Sequence, residues 1–410
     1  MKLNQIITSL LENDLYKFSM TQCVFHQFND YKTTWAFKCR NKDVFFTPEM
    51  VEEIKEQIKA YCGLRFTEDE LEYLQNIPWI KSTYVEYLRF WHPRYEDFEI
   101  TTDDPCGLGI MTRGGWLQTS FYEVPTLAIV NEVYFRMSYD YNELIESFEK
   151  KLDEKIQWLI DGKYHIGNFS EFGLRRRLSA EAQDMAVRKL AEANDKLHKE
   201  DNKWSLLVGT SNVYLAKKHC LKPMGTMAHE IVMGIGQSDP RHNPSYSNYY
   251  TMRAWVKEYG VQNGIMLTDT ITTDCFLRDF GIEFATLFSG ARHDSSCPYQ
   301  WADKMIAHYK KLGIDPMTKT LLFSDSLDFS RASDLFETYN TKAMVAFGIG
   351  TFLSNDTDVA KPLNIVMKPI MSNGMALCKL SDSDGKNMCR DQEYIDYLKR
   401  SIKWRMEYEK

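Results

Sequence analysis

From about residue 165 the chain repeats one unit: a short apolar segment, a polar or glycine-rich loop, then in most cases a helical run. "YHIGNF" opens the series. It leads through "SEFGLRRR" into a stretch where Ala182, Met185, Ala186 and Leu190 recur at helical spacing after Ser179, a good N-cap residue. "SLLVGTSN", "KPMGTMAHE", "GIMLTDT", "FATLFSGARHDSSC", "TLLFSDSLD" and "AMVAFGIGT" follow in turn. Strands that alternate with helices run parallel and are joined by crossovers. Seven in a row predict a (β/α) barrel rather than an open sheet, and in barrels the chemistry sits on the loops after the strands. Those loops carry Arg175, Ser211, Thr226, His229, Asp269, Arg292, Asp294, Asp325, Gly348, Gly350 and Thr351. Active-site residue types at every strand exit predict an enzyme.

The 410 residues exceed what one core usually serves, so two domains are expected. Residues 1–150 read as an α+β domain. "DYKTTWAFKCR" is a strand, "EMVEEIKEQIKAYC", "DELEYLQNI" and "KSTYVEYLRFW" are helices, and "FEITTDD" with "GLGIMTRGGWLQTSFY" gives strands and a hairpin. The tail from 365 to 410, with a hairpin turn at Ser372-Asn373-Gly374, is assigned to the same domain, leaving 151–364 for the barrel. A net charge of −7 argues against general nucleic-acid binding while allowing local anion sites. The nine cysteines form no CxxC pair, which points away from structural zinc and towards reduced thiols in the cytoplasm. "MKLNQIITSLLENDLYKF" reads as neither signal peptide nor membrane span.

Several loops carry specific chemistry. In "FGIGT" (347–351) two glycines let backbone N–H groups converge on an anion, though a structural turn would use them too. In "EFGLRRR" (171–177) the arginines are unfavourable at a helix start, a cost that a phosphate would offset. Arg292 and Asp294 in "RHDSSCP" share a face of an extended segment, suited to a substrate with a carboxylate and hydroxyls or to a plain ion pair. His229 in "KPMGTMAHE" stands where a histidine is a cap, a spectator or a nucleophile. The adjacent Glu230 is badly placed to orient its ring, so another carboxylate must do that.

Taken together, "ENDLYKFSM", "EFGLRRR", "VGTSNVYLA", "MGTMAHE", "LTDTITTDCFLRDFG", "RHDS", "HYKKLGIDP", "FSDSLD", "FGIGT" and "KLSDSDGK" make the chain resemble nicotinate phosphoribosyltransferase along almost its whole length. The resemblance implies an irregular seven-stranded α/β barrel with a separate domain built from both ends of the chain. It implies synthesis of nicotinate mononucleotide from nicotinate and 5-phosphoribosyl 1-pyrophosphate, the first step of NAD salvage from nicotinate. ATP would be hydrolysed through a phosphohistidine, with Mg²⁺ on the pyrophosphate. It also implies a homodimer with active sites at the interface. His229 matches the phosphorylated histidine, Thr226 a position near the pyridine ring, and Tyr16 and Phe172 the aromatics that sandwich it, Tyr16 coming from the neighbouring subunit. Arg292 matches the nicotinate-carboxylate contact, Arg175, Gly348, Gly350 and Thr351 phosphate contacts, and Asp294 the ribose hydroxyls. Asp269 and Asp325 sit at matching strand exits.

One departure stands out. After "RHDS" such enzymes usually continue with Gly and an acidic residue, whereas this chain has Ser296 and Cys297, so a carboxylate expected near ribose and magnesium is missing. Nicotinamide phosphoribosyltransferase and a catalytically impaired paralogue stay open as alternatives. A sugar-phosphate aldolase would need a strand-exit lysine, and the barrel strands offer only Lys222, which begins its strand.

Overall fold

The structure, a computed structural model, describes residues 3–199, 205–382, 389 and 391–409; residues 383–386 of "KLSDSDGK" lie outside these. The N-terminal part supplies β1 (Lys32–Cys39), β2 (Phe98–Thr101) and β3 (Gly109–Gly115). The barrel strands are β4 (Gly167–Glu171), β5 (Ser205–Thr210), β6 (Lys222–Pro223), β7 (Ile265–Leu267), β8 (Gly290–His293), β9 (Thr320–Phe323) and β10 (Met344–Ile349). After them come β11 (Ile365–Ser372) and β12 (Met375–Ala376).

One sheet is antiparallel, in the order β12-β11-β1-β3-β2. Thr33, Trp35 and Phe37 fall at period two on β1 and are buried. The hairpin between β11 and β12 turns at Asn373 and Gly374, with φ 48° and 79°, the positive pair that a two-residue primed turn requires and that this dipeptide favours. Helices Pro48–Cys62 and Glu68–Gln75 start on Thr47 and Thr67; Thr67 and Glu70 form a reciprocal capping box. The helix after Ser179 is also capped as the sequence predicts, the Ala182 N–H donating to Ser179 Oγ at 3.0 Å.

The second sheet is parallel, in the order β6-β5-β4-β10-β9-β8-β7, and curls into the irregular seven-stranded barrel. Its end strands β6 and β7 are not hydrogen-bonded to each other. β6 has only two residues and ends in Pro223, which lacks an N–H. Beside the exit of β7 the C-terminal tail runs parallel: the Leu380 N–H donates to the Thr270 carbonyl at 2.8 Å, and the Gln237 side chain bonds both backbone groups of Cys378.

Three elements differ from the sequence reading. Trp116–Tyr122, expected in a hairpin, is helical and continues into the helix Glu123–Ser138, with Trp116 fully buried. The boundary at 150/151 falls inside one uninterrupted helix, Tyr141–Ile160. The tail divides: β11 pairs with β1, but the helix Gln392–Tyr408 docks on the barrel side, where the Arg405 guanidinium grips Asp279 and donates to the Ser245 carbonyl at 2.6 Å. Among the described residues, no helix is long and apolar enough to cross a membrane.

Candidate active site

The strand exits and the antiparallel sheet enclose a cavity of about 580 Å³. His229 lines it as the first residue of the helix His229–Gln237. The chain reaches that position through Gly225, whose φ of 144° suits glycine alone and whose backbone passes so close to the Tyr16 backbone that a Cβ would sit 3.2 Å from its nitrogen. His229 Nδ1 lies 3.0 Å from Thr270 Oγ1, and Nε2 lies 2.9 Å from Asp294 Oδ2 and 2.7 Å from Lys379 Nζ. Burial, reinforced by the Lys379 ammonium and opposed by Asp269 and Asp294, lowers the imidazole pKa to about 4. At neutral pH the ring is therefore uncharged, the form in which a histidine is nucleophilic. Asp294 is the carboxylate that meets the ring. Burial would raise its pKa, but the neighbouring His229 and the Arg292 and Lys379 cations hold it well below the usual range.

Asp269 sits behind this group and does not line the cavity: its Oδ2 accepts from Ser295 Oγ at 2.5 Å and pairs with Lys379 Nζ at 3.0 Å. His229, Asp269 and Asp294 place one potential metal ligand each within 4.8 Å of one another. The Lys379 ammonium is already inserted among them, and a histidine is a poor ligand for a hard ion. This set therefore does not fit Mg²⁺.

Six cationic side chains line the cavity: Arg40, Arg175, Arg176, Arg292, Lys368 and Lys379. Arg175 is partly neutralised, 3.6 Å from Asp14 and 3.4 Å from Glu123, and its guanidinium faces the Tyr16 ring at 5.7 Å. Arg176 has a lowered pKa from burial and from the neighbouring Arg175 charge. Lys368 falls to about 8, through burial and then the Lys379 cation. Arg292 Nη1 donates to the Met227 carbonyl at 2.9 Å, while its Nε is buried with no partner among the described residues. Five carboxylates, Asp14, Glu123, Glu230, Asp294 and Asp325, line the same chamber. Glu230 and Glu123 are held by Lys17, and Asp14 lies beside Arg175. Among the described residues no carboxylate pairs with Arg40, Arg176 or Lys368, which are placed to meet a ligand's negative charges.

Tyr16, Phe172, Arg175, Arg292, Asp325, Gly350 and Thr351 all line this cavity with His229 and Asp294. Tyr16 does so from its own chain. Gly348 does not line the cavity: a Cβ at that position would lie 2.3 Å from Phe172 Cδ2, so this glycine makes room for the aromatic ring. Thr226 is also off the wall, its Oγ1 buried without a partner among the described residues. Ser296 and Cys297 are not on the wall either. Ser296 adopts φ 74°, and Cys297 is the N-cap of the helix Pro298–Lys311 with no side-chain capping bond. Arg177 belongs to the fold, buried against Glu12 at 2.9 Å.

The sequence reading missed Arg40, Arg176, Lys368 and Lys379 as cavity residues. Arg176 lies in the same arginine run as Arg175, where sequence alone does not say which guanidinium faces the cavity. The other three arrive from the antiparallel sheet and the tail, and no local pattern connects them to the barrel.

Fold and site define an α/β-barrel enzyme with a neutral histidine at the wall of a cation-rich chamber. Comparison with known proteins narrows the class. Residues 11–131 match the N-terminal domain, and residues 168–405 the main region, of the nicotinate phosphoribosyltransferase (NAPRTase) family. A nicotinate phosphoribosyltransferase of Cupriavidus necator is 42% identical over 401 residues, spanning 96% of this chain and 98% of that one. The crystal structure of the Vibrio cholerae nicotinate phosphoribosyltransferase superposes with a TM-score of 0.87 at 35% identity, covering 98% of this chain and 95% of that one. The Porphyromonas gingivalis enzyme gives 0.84 at 32% identity, covering 97% and 100%. The chain belongs to the nicotinate phosphoribosyltransferase family.

Proposed function

We propose that the protein joins nicotinate to 5-phosphoribosyl 1-pyrophosphate, giving nicotinate mononucleotide and pyrophosphate, and that ATP hydrolysis drives the step through a phosphohistidine at His229. The observation that carries this reading is that His229 and Arg292 face one chamber lined by six cationic side chains. In the ribosyl step the pyridine nitrogen attacks the anomeric carbon, and the broken C–O bond's electron pair leaves with pyrophosphate. Arg292 holds the nicotinate carboxylate, since its guanidinium is suited to a planar anion. Tyr16 and Phe172 flank the pyridine ring. Arg175, Arg176, Lys368 and the backbone at Gly350 and Thr351 take phosphate groups. Asp294, already in contact with His229, and Asp325 face the ribose.

In the energising step one imidazole nitrogen attacks the γ-phosphorus of ATP, and ADP leaves with the electrons of the broken P–O bond. Mg²⁺ belongs to this reading as an ion carried by the substrate's phosphates. A homodimer and a cytoplasmic location complete the proposal, the latter supported by nine cysteines with no CxxC pair among them.

The test incubates the protein with nicotinate, phosphoribosyl pyrophosphate and Mg²⁺, with and without γ-labelled ATP. Mononucleotide should form in both cases, faster with ATP, and acid-labile label should appear on the wild type alone. Equal labelling of His229→Ala overturns the phosphohistidine; no mononucleotide at all overturns the reaction.

A further inference from the structure

Lys379 reaches the site by a different route from the strand-exit residues. It is fully enclosed, and the tail segment carrying it is fastened on both sides, by Gln237 on Cys378 and by the Leu380 N–H on the Thr270 carbonyl. Its ammonium lies 2.7 Å from His229 Nε2 and 3.0 Å from Asp269 Oδ2. Asp294 Oδ2 lies 2.9 Å from the same Nε2.

These two contacts exclude each other on a neutral ring. An ammonium only donates, so Nε2 must offer its lone pair. A carboxylate only accepts, so Nε2 must carry a proton. Thr270 Oγ1, 3.0 Å from Nδ1, does not choose between the two states, because a hydroxyl donates or accepts equally well. The groups facing the ring are Lys379 from the tail, Asp269 after β7 and Asp294 after β8, with Arg292 Nη2 3.9 Å behind Asp294. Glu230, next in the chain, is engaged by Lys17 instead.

We propose that Lys379 is a positioning residue for His229: its ammonium takes the Nε2 lone pair, sets the ring proton on Nδ1, and denies the adjacent Asp294 carboxylate a proton from that nitrogen until an anion in the cavity draws the ammonium away. Lys379 lines the cavity, so a polyanionic ligand competes directly for it. Once it is drawn off, Nδ1 loses one proton to water and Nε2 gains one, so the charge of the ring is unchanged. The tail thereby couples filling of the chamber to the tautomer of the histidine. Its relevance to phosphoryl transfer rests on the function proposed above; the tautomer itself does not.

The test is ¹⁵N NMR of histidine-labelled protein without ATP, with His229 assigned by its loss in His229→Gln. The wild type should show Nδ1 protonated and Nε2 bare. Lys379→Met should show the opposite tautomer, titrating about one to two pH units higher because a neighbouring cation is gone. Lys379→Arg should keep the wild-type state, and inorganic pyrophosphate added to the wild type should shift it towards the Lys379→Met spectrum. The same tautomer and titration in wild type and Lys379→Met overturn the inference. If Lys379→Met does not fold, a wild-type spectrum that ignores pyrophosphate overturns it alone. Absence of phosphate label on the wild type counts against the phosphohistidine and leaves these spectra to be read independently.

Discussion

Glu230 Oε2 accepts from Lys17 Nζ at 2.6 Å, pinning the helix that begins at His229 to the helix that carries Tyr16. The same ammonium lies 2.7 Å from Glu123, and Trp116 Nε1 donates to the other Glu230 oxygen at 2.7 Å. Glu230 therefore serves its neighbour's position, and not its ring. Lys17→Met leaves two buried carboxylates without their shared cation, and breaking a buried pair in this way costs about 3–5 kcal/mol. Urea unfolding at pH 7 should register a loss of that size. Lys17→Met combined with Glu230→Gln should lose less than the two single changes summed. Additive losses would mean that the helices are held by other contacts.

His229 gives stability a pH dependence of definite sign. Its folded pKa of about 4 lies below the ordinary 6.5, so the unfolded chain binds the extra proton first. Stability from this neutral ring is complete above pH 6.5 and is lost as pH falls towards 4. At pH 5 the loss is about 2 kcal/mol relative to pH 7. His229→Gln should lack this component, so its stability should fall less between pH 7 and pH 5. Parallel curves for the two proteins would place the ring in a solvated environment.

The barrel was legible because its units repeat locally: each apolar strand and its polar loop announce themselves within ten residues. The helix Leu15–Gln27 was not, since ten consecutive residues from Leu15 to Val24 are buried and leave no polar face to give a period. Tyr141–Ile160 does show a stripe, Leu144, Phe148, Leu152 and Leu159, that the domain boundary overrode. In the site, His229, Asp294 and Arg292 were readable from their strand exits. Lys368 and Lys379 were not, because β11 and the tail reach the chamber only through pairing with β1 and with the exit of β7. Gly348 carries a packing role that the sequence does not show: a side chain there would meet the Phe172 ring.

Arg292 should decide between acid and amide. Among the described residues its Nε is buried without a partner, and the rest of its guanidinium meets the Met227 carbonyl and a distant Asp294. A lost charge-assisted contact is worth about 1.5–3 kcal/mol, so Arg292→Ala should raise the KM for nicotinate about ten- to a hundredfold. The KM for phosphoribosyl pyrophosphate should change little, and any weak use of nicotinamide should be unaffected. Steady-state kinetics with both pyridines measure this. An unchanged nicotinate KM would show that another cation holds the carboxylate.

The Ser296-Cys297 pair is the clearest case where the structure redirects a sequence argument. Read as a sequence, the pair lacks a carboxylate that magnesium or ribose would use. In the fold neither residue lines the chamber. Ser296 takes φ 74°, a conformation that costs a residue with a Cβ about 1 kcal/mol and costs glycine almost nothing. Cys297 opens the helix Pro298–Lys311 without a capping side chain, and an aspartate at such an N-cap contributes about 0.5–2 kcal/mol. Ser296→Gly with Cys297→Asp should therefore stabilise the protein by about 1–3 kcal/mol, read as a higher urea midpoint with an unchanged slope. The Mg²⁺ concentration for half-maximal rate should stay the same. If instead the double variant needs less Mg²⁺ and gains no stability, the acidic residue acts on the substrate's metal, and the loop must move towards the chamber when substrate binds.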